Sequence, residues 1–477
     1  MVGFAAYGRW QAWLRRPPLG WLGGILSKWA DSAEESFSKI PARPGPDWLA
    51  AAVVYEVFPR AFSKEGNLAG VTQRLAELKH LGADVIWLMP IHPTGEKDKP
   101  GPEGSPYAVR DYYNIDPRLG SKKDLIELVE TAHGLGLKVI LDLVPNHTAW
   151  DAVWMKDFDL YRKNSQGEVM YPQPAWKDVA ALDYAQPKTR QAMIGVMRYW
   201  LHEAKVDGFR CDAACFVPLD FWEEARAALD SDHPSVLLLA EADDPPYLTK
   251  AFDLDYDWPL YHSLNRVMLE GKPVTDLRKT WEASRATFPQ GSRHLSFSDN
   301  HDQVRAVARY GMDGAIAAQV LMFTLDGVPL VYNGMEVGDA TESTAPALFE
   351  NKKIEWKEVG RPPIRDLYRS LIAFRKQNKA MTSGEVVWLE NSRNREVVSF
   401  VRKGEEQEIL VVINFSSRPL EVVVRTGEKD AFGVVEFSDH LRKGLGTPAR
   451  LQLPGFGWSI FKRKTATKGP EKQDSRA

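Results

Sequence analysis

The chain has 477 residues, 44% hydrophobic and 26% charged, with 61 Lys and Arg against 64 Asp and Glu for a net charge of −3. That balance excludes a disordered or fibrous chain and supplies no basic field to steer it to nucleic acid or an anionic lipid surface. At about 150 residues per domain the length suggests about three domains, and two cysteines, Cys211 and Cys215, are too few for a disulfide framework or a four-ligand zinc site, so both read as reduced thiols.

Residues 1–47 form a Trp-rich extension; five of the 16 tryptophans fall in the first 48 residues. Arg9, Arg15, Arg16 and Pro17-Pro18 interrupt its apolar character, so it does not read as a signal peptide, and Leu19–Leu26 is too short to span a bilayer. A cytoplasmic protein of enzyme size is expected. Trp10, Trp13, Trp21 and Trp29 are left as a hydrophobic strap on the next domain, a subunit contact, an aromatic platform for a ligand or a membrane-surface anchor. The run from Pro41 to Pro46 reads as a linker.

From residue 48 strands and helices alternate. The strand candidates are Ala51–Phe58, Ala83–Met89, Leu137–Val144, Val206–Cys211, Val236–Ala240, a weak Ala251–Leu254, Arg293–Ser298 and Val328–Tyr332. Helical spacing follows each, as in Val71–Leu81, Leu125–Leu135, Lys188–Lys205, Asp220–Leu229, Asp313–Leu325 and Ile364–Asn378. Eight such units predict a closed (β/α)8 barrel over 48–147 and 188–382. The Trp-, Tyr-, Asp- and Pro-rich stretch 148–187 breaks the rhythm after the third strand and reads as a short inserted domain. Alternating β-rich runs (Glu385–Leu389, Val397–Arg402, Ile409–Phe415, Leu420–Val424, Trp458–Lys462) predict an antiparallel β-sandwich domain over 383–463, followed by a disordered tail, 464–477.

Reactive groups of such a barrel sit at the C-terminal ends of its strands. Asp142 leads to Asn146-His147; Arg210 is followed by Asp212; Glu241 ends the next strand; Asp299, Asn300, His301 and Asp302 end another. Each alone reads as a helix cap or a solvated group. Together on one rim the carboxylates repel unless a ligand, a proton or a cation compensates. Carboxylates with an arginine suit glycoside hydrolysis, in which one ionised carboxylate attacks the anomeric carbon and a protonated one donates to the leaving oxygen. Aromatic residues of the insert, Trp150, Trp154 and Trp176, are candidates for gripping sugar faces.

Over residues 50–463 the chain resembles the α-amylase family of glycoside hydrolases. Its four short motifs occur in order as Asp142-Leu-Val-Pro-Asn-His147, Gly208-Phe-Arg-Cys-Asp212, Glu241 within Leu239-Ala-Glu-Ala242, and Phe297-Ser-Asp-Asn-His-Asp302. Val54-Tyr-Glu-Val-Phe-Pro-Arg60 and Ser105-Pro-Tyr-Ala-Val-Arg-Asp-Tyr112 match further segments. The resemblance implies a retaining mechanism with Asp212 as nucleophile, Glu241 as acid/base and Asp302 as the stabilising carboxylate. It implies that Tyr107, His147, Arg210 and His301 contact the sugar or the nucleophile, and that Asp142 supports them. The implied substrate is an α-glucan oligosaccharide, with no nucleic-acid partner. Closest in kind are intracellular maltodextrin-degrading members.

The segment Asp212-Ala-Ala-Cys-Phe216 departs from the Lys-His that many members carry, whose His gives a carbonyl to calcium. No cofactor is therefore expected to be required, and Asn146, which matches another calcium ligand, is the one candidate metal ligand. A glucanotransferase or isomerase would share the same motifs. A non-catalytic glucan-binding protein would be expected to lack Asp212 or Glu241. The sequence does not set the oligomeric state.

Overall fold

The computed structural model describes residues 37–342, 344–357, 364–426, 434–438 and 449–464. The expected extension is described only from Phe37, and the four tryptophans before it lie outside the described residues, as does the tail beyond Lys464.

In chain order the first strands are β1 (Val54–Val57), β2 (Val85–Leu88), β3 (Lys138–Leu143), β4 (His147–Ala149), β5 (Val179–Ala181), β6 (Gly208–Cys211), β7 (Leu237–Ala240), β8 (Leu254–Tyr256), β9 (His294–Ser296) and β10 (Val328–Tyr332). Eight of them close into a parallel barrel, β1-β2-β3-β6-β7-β8-β9-β10 and back to β1. Side chains alternate across each strand. Val54, Val85, Ile140, Leu237, Leu239, Leu254, Leu295, Val328 and Leu330 fill the barrel as one apolar cluster. Tyr55, Ile86, Val139, Leu141, Phe209, Leu238 and Val331, of the opposite parity, pack outward with the helices. Leu49 and Ala52, from the short turn of helix Asp47–Ala51 just before β1, join the inner cluster and close the N-terminal mouth.

Helices follow the strands as the spacing predicts: α1 (Leu75–Leu81), α2 (Lys122–Gly134), α3 (Pro187–Glu203), α4 (Leu219–Asp230), α5 (Tyr247–Lys250), α6 (Trp258–Glu270), α7 (Thr275–Thr287), α8 (Ala306–Thr324) and α9 (Ile364–Gln377). Their ends follow local chemistry. Ser121 and Asp124 form a capping box on α2, and Pro187 opens α3 at a position that needs no N–H.

Some boundaries differ from expectation. The predicted helix Val71–Leu81 is two pieces, the first (Leu68–Thr72) capped by Asn67. The weak strand placed at Ala251–Leu254 begins only at Leu254, because Asp253 is drawn into ion pairs with Arg43 and Arg226. Helix α8 starts at Ala306 rather than Asp313, since the buried Asp299 carboxylate accepts from Ala306 N at 2.6 Å, and Gly311 breaks its helical path at φ 73°.

Beyond α9 lie β11 (Glu385–Trp388), β12 (Val397–Lys403), β13 (Gln407–Asn414), β14 (Leu420–Val424), β15 (Val434–Ser438), β16 (Ala449–Leu453) and β17 (Trp458–Lys464). β15 and β16 were not predicted. The order β11-β12-β13-β17-β15 makes one antiparallel sheet, and β14 pairs with β16. Val397, Leu410, Val412 and Phe461 face Val422, Val424, Leu451 and Leu453 of that pair, while Val398, Phe400, Ile409, Val411 and Ile460 face the barrel core. The result is a sandwich fixed to the barrel through one of its faces. Lys464, expected to start the tail, ends β17.

Candidate active site

The inward rows of the barrel turn polar at its C-terminal mouth. Two residues past an apolar inward position come Glu56 on β1, Trp87 on β2, Asp142 on β3, Glu241 just beyond β7 and Tyr256 on β8, while β6 contributes Arg210 and, just past its end, Asp212. The period of two that fills the core thus also aims these groups at one point. Loops complete the set, with Tyr107 after β2, His147 opening β4, and His301 and Asp302 after β9. All eight expected site residues meet here.

Arg210 is the hub. It is fully buried, and its Nη1 donates to Asp142 at 2.9 Å and to Asp212 at 3.0 Å. Its Nη2 lies 3.0 Å from Glu241, and its Nε donates to the Tyr256 hydroxyl at 3.2 Å. Asp142 also accepts from Trp87 Nε1 and from the Tyr107 hydroxyl, each at 3.1 Å, so it is held on every side. Glu241 is fixed a second time by the Ala213 N–H at 2.7 Å. Ala213, directly after Asp212, lies in the left-handed region (φ 47°, ψ 37°), which a residue with a Cβ rarely adopts and which active sites tolerate.

Burial raises the carboxyls of Asp212, Glu241 and Asp142, because each charge loses water; Arg210 opposes the rise in all three. Neighbouring carboxylates add to it at Glu241, where Asp212 and Asp302 favour the protonated form. The two histidines are set apart. Burial lowers His147 to about 4, and Asn146 Nδ2 donates to its Nδ1 at 3.2 Å, as a neutral ring requires. Burial also disfavours charge on His301, but Asp302 and Glu56 outweigh it and raise the ring to about 9. Tyr107 stacks on His301, ring centres 5.5 Å apart, and its hydroxyl lies 2.7 Å from Nε2.

Of the tryptophans expected to grip sugar, Trp176 alone adjoins the site. It meets His147 edge-on at 5.6 Å and Phe216 at 5.8 Å, and Phe216 is exposed. Trp154 packs instead on Tyr112 at 4.6 Å at the edge of the barrel core. Trp150 donates to the Lys177 carbonyl and packs on Tyr171. Both are structural parts of the insert, whose two strands β4 and β5 pair antiparallel. Cys211 points outward and is buried, Cys215 is half-buried, and burial raises both thiols, so neither is a nucleophile.

Asn146, the candidate calcium ligand, has its amide nitrogen on His147 and its backbone carbonyl on Leu182 N. Among the described residues no three His, Cys, Asp or Glu side chains come together as a metal cage.

Glu56, Trp87 and Tyr256 belong to the site and were not singled out from sequence. Their signal was parity: each is a polar or aromatic residue continuing an inward row.

The chain is similar to known proteins over most of its length. The family model described as "Alpha amylase, catalytic domain" matches residues 28–173 and 159–413. The α-amylase MalA of Haloarcula japonica is 28% identical over 403 residues, which is 80% of this chain and 58% of that protein, so this chain spans well under two thirds of its length. The intracellular maltogenic amylase of Bacillus subtilis is 26% identical over 419 residues, 77% of this chain and 69% of that one. The crystal structure of a maltogenic α-amylase, AmyB, from Thermotoga neapolitana superposes with a TM-score of 0.80 at 30% identity, covering 87% of this chain and 99% of that one.

Proposed function

The chain belongs to the α-amylase catalytic-domain family, and from that premise we propose that it is a retaining glycoside hydrolase cleaving α-1,4 bonds of maltodextrin-type oligosaccharides. The observation that carries the reading is Arg210 bridging Asp212 and Glu241 in a buried pocket at the barrel mouth.

In the first step Asp212 attacks the anomeric carbon as its carboxylate, a form that Arg210 favours. Glu241, whose carboxyl burial holds toward the protonated form, gives its proton to the leaving oxygen. A glycosyl ester on Asp212 results. In the second step Glu241, now ionised, takes a proton from water, which displaces Asp212 and returns the product with its α configuration. Asp302 faces the positive charge that builds on the ring, and Tyr107 offers the sugar a flat apolar face.

Asp212→Ala and Glu241→Gln should each lower kcat by about 10⁴-fold or more with the fold intact. NMR of fresh products resolves the anomer, and a product that first appears as β from an α-glucan overturns retention. A glucanotransferase is the second reading, favoured by the Trp176–Phe216 pair, which gives an acceptor sugar an aromatic edge beside the site. Oligomers longer than the supplied maltooligosaccharide would select it. We also propose a cytoplasmic location, supported by the similarity to an intracellular maltogenic amylase. No described helix is long and apolar enough to cross a membrane.

A further inference from the structure

We propose that Glu56 is a positioning residue for this reaction: from the first barrel strand it keeps a proton on both ring nitrogens of His301, and through His301 it orients Tyr107 and Asp302 at the cleavage site. The inference rests on the glycosidase reading and adds a residue to it that touches none of the reacting atoms.

One arrangement of protons satisfies all of the contacts around His301 at once. His301 Nδ1 faces Glu56 Oε1 at hydrogen-bond distance; burial raises the Glu56 carboxyl while His301 and Arg210 oppose the rise, and as a carboxylate Glu56 only accepts, so Nδ1 then carries the proton. Nε2 faces the Tyr107 hydroxyl at 2.7 Å and Asp302 Oδ2 at 3.2 Å. The single Tyr107 proton is directed to Asp142 Oδ2, already bound by Trp87 and unable to donate. The Tyr107 oxygen must therefore accept from Nε2, which carries a proton too. Two donors on one imidazole make it a cation.

Around that ring stand Glu56 from β1, Asp142 from β3, Arg210 from β6, Tyr107 from the loop after β2 and Asp302 from its own loop; the edge of Trp87 closes the remaining side at 5.7 Å. Arg210 opposes the imidazolium, and the carboxylates outweigh it. Glu56 and His301 are 0% and 1% exposed, so their attraction is little screened by water. Glu56 Oε2 is buried without a hydrogen-bond partner. A buried carboxylate with one partner is costly to hold, and His301 supplies the opposite charge that compensates it.

With Gln at 56 the amide oxygen still accepts from Nδ1, but nothing enforces the second proton. A neutral His301 would accept at Nε2 from Tyr107, drawing the hydroxyl proton away from Asp142 and leaving Asp302 without its cation.

The test follows the ring nitrogens of His301 by ¹⁵N NMR against pH in the full chain, assigned with His301→Gln. In the unaltered protein His301 should stay doubly protonated through neutral pH and titrate near 9; in Glu56→Gln it should titrate lower, since of the two carboxylates that raise it only Asp302 remains. kcat/KM should fall about 100-fold in Glu56→Gln, the size of losing one preorganised donor, and Glu56→Asp should recover most of it. In a double-mutant cycle, adding Glu56→Gln to His301→Gln should cost less than about threefold more. A His301 that titrates near 6.5 in the unaltered protein, or losses that multiply in the double variant, overturns the proposal. If Glu56→Gln does not fold, the titration of the unaltered protein decides alone. That titration is independent of turnover, so retained activity in Asp212→Ala would sink the glycosidase reading separately.

Discussion

Arg210 and Arg375 are both buried guanidinium groups, balanced in opposite ways at the two ends of the barrel. At the C-terminal mouth Arg210 meets Asp142, Asp212 and Glu241, which more than offset the burial that disfavours its charge. On the N-terminal side Arg375 meets only backbone. Its Nη1 donates to the carbonyls of Phe323, Leu325 and Met381 at 3.1–3.2 Å, and its Nη2 to those of Gly327 and Ala50. Arg402 does the same from the C-terminal sheet, reaching Thr324 and Gly384 at 3.0 Å each. Neither has a carboxylate partner among the described residues, and burial lowers both to about 9. These two side chains cap the C-terminal end of α8, where the helix dipole is negative, and join barrel to sandwich. Carbonyl dipoles hold a position but exchange no protons. Carboxylates do, so the mouth is chemistry and the opposite end is fastening.

Between the two arginines, the larger effect on turnover should come from Arg210→Met. It leaves three carboxylates without their shared cation, so Asp212 would ionise only at higher pH. kcat/KM should drop about 10³-fold near neutral pH, with the acid limb of its pH profile moved upward. A loss under about tenfold would mean that another cation balances the mouth. Arg375→Met should do the reverse. It orphans buried carbonyls at the end of α8, each worth about 1–3 kcal/mol. Stability by urea titration should fall by about 3 kcal/mol, while kcat per folded molecule stays level. A fall in kcat with stability intact would erase the distinction between the two ends.

A smaller effect concerns pH. Glu241 is raised from 4.5 to about 7 in the folded state. Between those values the folded protein binds more protons than the unfolded chain, so stability declines as pH rises through the window. Glu241→Gln removes that penalty. It should melt higher than the unaltered protein at pH 8, by about 2–4 °C per kcal/mol recovered, and level with it at pH 4.5. The same proton sets activity, so kcat of the unaltered protein should decline above pH 7. Equal melting at both pH values would show that burial places no charge cost on Glu241.

The two ends were unequally legible in the sequence. Asp142, Arg210, Asp212, Glu241 and Asp302 stand at strand ends in short motifs, and alternation in eight units announced the barrel, so mouth and fold were readable together. Glu56 and Tyr256 were hidden because each looks like one more residue in an apolar strand; only the parity that fills the interior reveals which way they point. Arg375 and Arg402 gave no signal, since their partners are backbone carbonyls whose positions exist only once α8 has ended. β15 carries a short β-rich run, Val434, Val435 and Phe437, that sequence reasoning overlooked, and β16 has no apolar run, although Ala449, Leu451 and Leu453 alternate with Arg450 and Gln452. Trp154 was read as a sugar contact on residue type, whereas it is half-buried and packs on Tyr112 at the edge of the core.

The smallest expected effect is that of removing divalent cations, and it bears directly on how the mouth is balanced. If Arg210 and the His301 imidazolium are the cations that Asp142, Asp212, Glu241 and Asp302 answer to, the site has no further positive charge to recruit. Asn146 is held by the protein itself: its amide nitrogen is engaged with His147 and its backbone carbonyl with Leu182. Dialysis against EDTA should therefore leave the melting temperature within about 1 °C and kcat within about 20%, since a ligand that is not bound contributes nothing to stability by mass action. A fall in either, restored by calcium alone, would show that the insert and the strand ends around Asn146 are held by a metal ion, and that Arg210 and His301 share the balancing of the mouth with it.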